Sequence, residues 1–342
     1  MGAAKYTPPC TLTSRMVTLV ERIGESIGQL AFDDPATLVP QLGRSNRIRT
    51  IHASLAIENN TLSVEQITAV VNGKRVLGKP GEIAEVRNAY TVYEQLETLN
   101  PCSRRDLLRA HRILMEHLVE KSGAYRTGSV GIMRGKDVVH LAPPAENIPA
   151  LMNDLLAWLK KTDAHPLIAG AVFHYEFEFI HPFSDGNGRM GRLWQTLILS
   201  RWKPIMAYLP VESVVHLKQK QYYQALGESD RQANATPFIE FMLEAIAQAL
   251  DELVTDQVAD QETDQVRTLL ALLQKQPLSA AELMKRLKLS HRPTFRENYL
   301  HPALSRKLIE MTRPETPRSR LQKYRITELG RRARICSNEE TE

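Results

Sequence analysis

Several chemically distinct side chains lie within twelve residues near the middle of the chain, where residues 181–192 read HPFSDGNGRMGR. His181 can accept a hydroxyl proton near neutral pH, and Asp185 offers the hard oxygen ligand that a phosphate-bridging Mg²⁺ prefers. Because Arg189 and Arg192 are three residues apart, both guanidinium groups would lie on one helix face, where they can hold two phosphates. This combination indicates a site that transfers part of a nucleotide.

The glycines of this stretch favour an anion-binding site. Gly186 and Gly188 directly precede a helix that the apolar pattern predicts from residue 190, so the backbone there can approach a ligand closely. Unpaired N–H groups at a helix N-terminus, together with the helix dipole, attract negative charge. A tight structural loop is the alternative, but it does not explain why a base, a carboxylate and two arginines occur together.

Residues 181–192 match the signature HPFx[D/E]GNGRxxR at every fixed position, and by it the chain resembles the Fic family. The similarity extends to residues 123–126 (GAYR), which resemble the approach to the family's β-hairpin flap, so the Fic-like core covers about residues 100–210. Fic proteins are all-α apart from the flap, and most transfer AMP from ATP to a Ser, Thr or Tyr hydroxyl of a protein, releasing pyrophosphate. The resemblance therefore implies a protein adenylyltransferase that uses ATP and Mg²⁺.

The resemblance also implies roles for individual residues. His181 would be the general base, Asp185 would hold the Mg²⁺ that bridges the α- and β-phosphates, and Arg192 would bind the γ-phosphate. The anion hole would be formed by Gly186, Asn187, Gly188 and Arg189. The flap, at about residues 132–139, would pair through its backbone with an extended segment of the target protein.

Two adjacent tyrosines resemble a pair that lines the adenine pocket in relatives. They are Tyr222 and Tyr223, which lie outside the signature. The alternative is that both are ordinary core aromatics on a helix.

A second motif lies far upstream, where residues 54–60 (SLAIENN) match the family's inhibitory pattern [S/T]xxxE[G/N]N at every fixed position. Ser54 and Glu58 are four apart and share a helix face, and the two asparagines suit a helix C-terminus. In relatives this glutamate pairs with the second signature arginine, here Arg192, and a bidentate pair would occupy the place of the γ-phosphate. The resemblance therefore implies autoinhibition through Ser54, Glu58 and Asn60. A solvated glutamate at a helix end, and a bifunctional enzyme that also removes AMP, are the alternatives.

Helical periodicity dominates the elements that must position these motifs. Apolar residues recur three or four apart in residues 16–30, 44–57, 63–72, 83–99, 103–118, 148–160, 166–179, 190–201 and 237–253. Two regions indicate β structure: a hairpin within 129–141, and a tail hairpin in which 308–311 and 322–326 flank a Pro- and Arg-rich turn. We expect a mainly α fold class, a Fic-type helical core with a β-hairpin flap.

The tail carries the chain's positive charge. Residues 262–342 hold 17 lysines and arginines against 10 aspartates and glutamates, whereas the remainder holds 27 against 29. Two short helices, 279–287 and 293–300, precede the tail hairpin, and Ser279 with Glu282 forms a capping-box pattern. This order predicts a winged helix-turn-helix over residues 262–336. Its DNA-contacting side chains would be His291, Arg292, Arg296, Asn298, Arg313, Arg318 and Arg320. Protein docking or homodimer formation is the alternative.

Length and composition set the remaining expectations. The 342 residues, 43% hydrophobic and 24% charged, are typical of a globular protein with two or three domains. We expect a helical region at 1–100 with the inhibitory motif, a catalytic core at 101–255 and the winged helix at 262–336.

A cytoplasmic location, with no membrane contact, follows from features that the sequence lacks. No apolar run reaches the roughly 18 residues of a transmembrane helix, and the first residues lack the order of a secretory signal. Cys10, Cys102 and Cys336 are too far apart for a CxxC metal site.

The target would be a protein hydroxyl, including one on the enzyme itself. A winged-helix transcriptional regulator with a nucleotide-sensing Fic-like domain is the competing function. The filled catalytic positions argue against an inactive domain.

Overall fold

A computed structural model describes residues 6–30, 35–129, 131–134, 137–260, 264–289, 291–316, 319 and 321–331. The chain divides into two units, Met1–Leu250 and Asp251–Glu342, which are described separately. The helices that begin in the first unit are α1 (Ser14–Leu30), α2 (Pro35–Ile57), α3 (Val64–Val71), α4 (Pro80–Glu94), α5 (Arg104–Leu114), α6 (Ile148–Lys161), α7 (Pro166–Ile180), α8 (Asn187–Trp202), α9 (Val211–Leu217), α10 (Gln219–Gln232) and α11 (Thr236–Asp260). Short 3₁₀ turns occur at Leu96–Thr98, Ala145–Asn147 and Pro204–Tyr208.

The expectation of a mainly helical protein is confirmed, and two helices end earlier than the apolar pattern predicts. The segment 83–99 is not one helix, because α4 ends at Glu94 and a 3₁₀ turn follows. Pro101 disfavours helical backbone at the residue before it, so the helix cannot run on into the next segment. Likewise α5 ends at Leu114, and His117 takes a left-handed φ of 61°. In both places the apolar side chains continue to pack although the helix has stopped.

Two other helices are longer than the apolar pattern predicts. Helix α2 begins at Pro35 rather than near residue 44, with proline in the first turn, where its missing N–H costs nothing. Helix α11 continues past the apolar pattern of residues 237–253 and ends at Asp260.

The core of the first unit surrounds α7 and α8, which pack against each other. Helix α7 is apolar on almost every side, as expected of a helix enclosed by others. Phe173, Phe177, Leu193 and Trp194 are completely buried. The same core includes residues of α2 and α4, so the upstream helices and the signature helices share one hydrophobic interior. This arrangement brings the end of α2 to the start of α8.

The predicted flap is present as an antiparallel hairpin of β1 (Gly131–Arg134) and β2 (Asp137–Leu141). Gly131 pairs with Leu141 and Arg134 with Asp137, and the register shifts between Ile132 and Met133. The tip, residues 135–136, lies outside the described residues.

The second unit has its own apolar core, which includes Val266, Leu283, Phe295 and Leu308. Its elements are α12 (Asp264–Leu273), α13 (Ala280–Arg286), α14 (Arg292–Phe295), a π turn (Arg296–Leu300), α15 (His301–Ser305), β3 (Ile309–Met311) and β4 (Tyr324–Ile326). The capping box of Ser279 and Glu282 forms as predicted.

The helix predicted over 293–300 is longer in the structure, because it continues to Ser305 across Pro302. A π turn directly before Pro302 is the kind of local adjustment that accommodates a residue without an N–H. Strands β3 and β4 pair antiparallel. Arg318, Arg320 and Cys336 lie outside the described residues. None of the helices in the described ranges has the length and apolar character of a membrane span.

Candidate active site

The signature loop connects α7 to α8 at the centre of the first unit. His181 follows the last residue of α7 with a left-handed φ of 49°, and Gly186, with φ of 84°, directly precedes α8. The predicted start of this helix near residue 190 is therefore wrong by three residues, because α8 begins at Asn187. Gly188 and Arg189 thus lie in its first turn, where backbone N–H groups have no partner within the helix. This earlier start strengthens the expected anion hole.

Asn187 braces the loop with its side chain. Its Oδ1 accepts a hydrogen bond from the Phe183 N–H and its Nδ2 donates to the Phe183 carbonyl, both at 2.9 Å. The residue is only 2% exposed. Its side chain is therefore committed to the fold of the loop, and only its backbone N–H remains for the role in the anion hole that the resemblance implies.

His111, which sequence reasoning missed, ties the loop to the beginning of the flap. Its Nδ1 accepts the Gly123 N–H at 2.8 Å, so the neutral ring carries its proton on Nε2, which lies 3.0 Å from the Asp185 carbonyl oxygen. The ring also stacks on Phe183 with centroids 3.6 Å apart. Burial lowers the pKa of His111 to about 4. Its one sequence signal was a position on the apolar face of α5.

Arg126 holds both ends of the flap against the loop. Its Nε donates to the His181 carbonyl at 2.7 Å, and its two Nη groups donate to the Gly128 carbonyl at 2.7 Å and to the Pro143 carbonyl at 2.6 Å. Sequence reasoning had included Arg126 only as part of GAYR. The contacts show that it fixes the backbone of the candidate base.

The two distant motifs meet at Arg192, as the inhibitory pattern predicts. Arg192 Nη2 lies 2.8 Å from Glu58 Oε1, while Nε donates to Ser54 Oγ and Nη2 to the Ser54 carbonyl, both at 3.0 Å. The expected bidentate pair with Glu58 is wrong, because in the described contacts Ser54 takes the other hydrogen bonds of the guanidinium. Burial opposes the charge of Arg192, but Glu58 and neighbouring groups raise its pKa above the usual value.

Glu58 lies directly over the first turn of α8. A Cβ atom placed on Gly188 would be 2.5 Å from Glu58 Oε1 and 3.1 Å from Arg192 Nη1. Only a residue without a side chain leaves room for the carboxylate at this position. Glu58 therefore occupies space next to the candidate anion hole.

A second chain of contacts joins the same two motifs. Asn60 Nδ2 donates to Glu85 Oε2 at 2.7 Å, and Glu85 Oε1 accepts from Arg189 Nη1 at 2.8 Å. Arg189 also donates to Asp185 Oδ1 at 3.2 Å. Glu85 carried no motif and was missed by sequence reasoning. Asn60 thus acts on Arg189 through Glu85, whereas Glu58 acts on Arg192.

The residues around Asp185 fit a magnesium ion that is coordinated mainly by the phosphates of a bound nucleotide and by water. The side chain of Asp185 is 60% exposed, so its carboxylate is accessible from solvent. Within the described ranges, no group of three or more His, Cys, Asp or Glu side chains could hold a metal ion. Mg²⁺ is often bound by one or two carboxylates, with phosphates and water completing its coordination, so a lone accessible carboxylate is compatible with that arrangement.

A cavity of about 530 Å³ opens beside the loop, a volume typical of small-molecule sites. Its lining includes Glu58, His181, Gly188, Arg192, Tyr222 and Tyr223. Tyr222 is also 1% exposed, with its hydroxyl 3.2 Å from His174 Nε2. The pair therefore lines the cavity, and Tyr222 is at the same time part of the packed interior.

Glu212 of α9 shares a second, much smaller cavity with Arg192. It is 3% exposed, and its Oε1 accepts hydrogen bonds from Tyr93 at 3.4 Å and Thr196 at 3.3 Å. Burial raises the pKa of Glu212 to about 7, although Arg192 works in the opposite direction.

We expect the ionisation of Glu212 to destabilise the protein between pH 5 and pH 8. The pKa of Glu212 is higher in the folded protein than in the unfolded chain. The contribution of its neutral carboxyl to the free energy of unfolding is therefore complete below about pH 4.5 and is lost as the pH rises through 7. The loss should be about 1–3 kcal/mol, measured by urea unfolding at four pH values. Glu212→Gln, which cannot ionise, should flatten this dependence. An identical pH profile in the two proteins would show that Glu212 ionises normally.

Comparisons with known proteins show which family the chain resembles. Residues 101–199 match the family model described as the Fic/DOC family, and residues 264–327 match that of the Filamentation induced by cAMP protein Fic-like, C-terminal domain. A protein adenylyltransferase Fic from Nematostella vectensis is 28% identical over 248 residues, covering 68% of this chain and 55% of the relative. One from Aedes aegypti is 27% identical over 220 residues, covering 60% and 41%. The chain spans about half the length of the curated relatives it matches.

Solved structures extend the comparison over nearly the whole chain. The crystal structure of a Fic family protein from Desulfovibrio desulfuricans G20 is 56% identical, with a TM-score of 0.72, covering 94% of this chain and 99% of that chain. Fic-1 from C. elegans shares the fold at 21% identity and a TM-score of 0.59, covering 72% and 73%.

Proposed function

The chain belongs to the Fic family, and we therefore propose that it transfers AMP from ATP to a Ser, Thr or Tyr hydroxyl of a protein. The observation that carries this proposal is that a single cavity brings His181, Gly188 and Arg192 together with Tyr222 and Tyr223. Curated relatives named protein adenylyltransferase support the same reaction.

In the proposed reaction the hydroxyl oxygen forms a bond to the α-phosphorus while the bond to the β-phosphate oxygen breaks. Pyrophosphate leaves with the electron pair, and the hydroxyl proton passes to His181. The unpaired N–H groups at the start of α8 and the side chain of Arg189 stabilise the negative charge of the phosphates. Mg²⁺ held by Asp185 would supply additional charge neutralisation.

We also propose that Glu58 inhibits this reaction in the resting protein. Support comes from the 2.8 Å contact between Glu58 and Arg192 and from the close approach of Glu58 to Gly188. While Glu58 holds Arg192, that arginine cannot receive the γ-phosphate. ATP can enter, but its α-phosphate is not aligned for attack.

The transferred group is identified by labelling ATP at two different phosphorus atoms. We expect the protein, alone or with a cell extract, to retain label from α-labelled ATP and none from γ-labelled ATP. Label from the γ-position would indicate phosphoryl transfer instead. No protein label from either nucleotide, with wild type or with Glu58→Gly, would contradict the proposed function.

The second unit is best interpreted as a winged helix. Helices α12 to α15 followed by the β3–β4 hairpin, over a core of their own, support this interpretation. Arg292 and Arg296 are exposed on the segment that would be the recognition helix, which favours testing duplex DNA as a ligand. Retardation of DNA that weakens steeply with salt would support DNA binding. No retardation at low salt would leave protein docking or a homodimer as its role.

A further inference from the structure

Glu178 lies in the wall of the cavity and takes no part in the proposed transfer step. It belongs to the last turn of α7, three residues before His181, and lines the cavity together with Arg192 and Tyr222. Its side chain is 11% exposed. A buried carboxylate is costly unless something compensates its charge.

The side chains around Glu178 favour its ionised form. Burial by itself would raise the pKa of Glu178, but His174, His181 and Arg192 together hold that pKa below its usual value. An ionised carboxylate accepts hydrogen bonds and donates none. Any ligand group that pairs with Glu178 must therefore be a donor.

The hydrogen bonding of this carboxylate is incomplete. Among the described residues, Glu178 Oε1 is buried and has no hydrogen-bond partner. His174 Nε2 lies 3.7 Å away, beyond hydrogen-bond distance. The ring nitrogens of His174 are already engaged, Nδ1 with Gln195 Oε1 at 2.6 Å and Nε2 with the Tyr222 hydroxyl at 3.2 Å. Oε1 itself packs beside Gly191, so a ligand in the cavity would meet Glu178 through the exposed 11% of its side chain.

We propose that Glu178 accepts a hydrogen bond from the nucleoside part of the substrate and thereby contributes to nucleotide selectivity. This inference rests on the proposed function, which places ATP in the cavity. Fully ionised phosphates have no donor and are repelled by a carboxylate. The donors of ATP are therefore the two ribose hydroxyls and the amino group of the base. Acidic side chains bind ribose hydroxyls in the same way in dinucleotide-binding folds.

The test compares the binding of ATP with that of analogues that each lack one donor. The analogues are 2′-deoxy-ATP, 3′-deoxy-ATP and inosine triphosphate, in which a keto oxygen replaces the amino group. We expect full-length wild type to bind one of them about tenfold or more weakly than ATP, because hydrogen bonds to charged groups have effects of this size. The analogue that binds weakly identifies the donor.

Variants of Glu178 show whether this selectivity depends on the carboxylate. The selectivity is the dissociation constant of the weak analogue divided by that of ATP. In Glu178→Met this ratio should fall close to one. In Glu178→Gln, which keeps an acceptor oxygen, part of the selectivity should remain. Because ATP and the analogues carry the same triphosphate, the loss of a negative charge changes their binding equally and cancels in the ratio for each variant. Asp230→Asn is the matched control, because it removes another negative charge from the same cavity lining and should leave the ratio unchanged.

Two results would overturn the inference, and a third would reject the proposed function. Equal binding of ATP and all three analogues by wild type excludes a nucleoside hydrogen bond, whatever the variants do. Selectivity that persists in a folded Glu178→Met protein assigns it to another residue. If wild type and Glu58→Gly bind no ATP at all, the proposed function itself fails, which differs from ATP binding without selectivity.

Discussion

Glu58→Gly should raise the rate of AMP transfer at least about tenfold over wild type. The substitution removes the carboxylate 2.8 Å from Arg192 and opens the space beside Gly188. Arg192 then becomes available for the γ-phosphate, and a negative charge disappears from the path of the triphosphate. Removing one partner of a partly buried ion pair typically changes the free energy of folding or binding by about a few kcal/mol. A difference of this size is sufficient for a tenfold change in rate. The measurement is the initial rate of labelling from α-labelled ATP over a range of ATP concentrations.

The control variants separate release of Arg192 from loss of Arg192. Arg192→Ala should not imitate Glu58→Gly, because it removes the phosphate contact together with the inhibitory one. The double variant should behave like Arg192→Ala, the non-additive result expected of two groups that share one contact. Glu65→Ala, on the exposed face of the next helix, is the matched control and should not change the rate. If Glu58→Gly labels no more protein than wild type, Glu58 is not inhibitory.

His181→Ala should reduce AMP transfer by roughly 10²–10⁴-fold while ATP binding stays near the wild-type value. The imidazole is the group of the signature that accepts a proton near pH 7, whereas the expected phosphate contacts come from the start of α8 and from the arginines. Single-turnover labelling measures the rate of the chemical step, and equilibrium binding measures the affinity of the site for ATP. The most informative background is Glu58→Gly, in which transfer is fastest.

The backbone at His181 calls for a second variant. Its φ of 49° is left-handed, and asparagine tolerates this region better than most residues. His181→Asn should therefore lose transfer to the same extent with less strain. His117→Asn is the matched control, since His117 is exposed and also has a positive φ, of 61°. Near-normal transfer by both His181 variants would exclude His181 as the base.

Four helices of the first unit and one capping box of the second could be predicted closely because they depend on local interactions, whereas α9 and α10 matched none of the predicted segments. Apolar periodicity located α1, α3, α6 and α7 to within a residue or two, and the capping box of Ser279 and Glu282 formed as expected. The predicted helix boundaries were least accurate where a helix ends but the apolar side chains after it stay buried. This occurs at the end of α5. The resemblance to the Fic family implied the pairing of Glu58 with Arg192, although the two residues are 134 positions apart.

The sequence by itself determined which residues can perform the chemistry, because residue type and short-range spacing decide what a loop or a helix end can offer. The tertiary structure alone decided how those residues are held. His111 reaches Asp185 across 74 residues, Arg126 reaches His181 across 55, and Arg189 reaches Glu85 across 104. None of these partners has a spacing that could identify it, because such contacts depend on which helix faces meet when the core packs. For the same reason only the folded chain shows that Ser54 shares Arg192 with Glu58, and that Glu178 faces the cavity beside them.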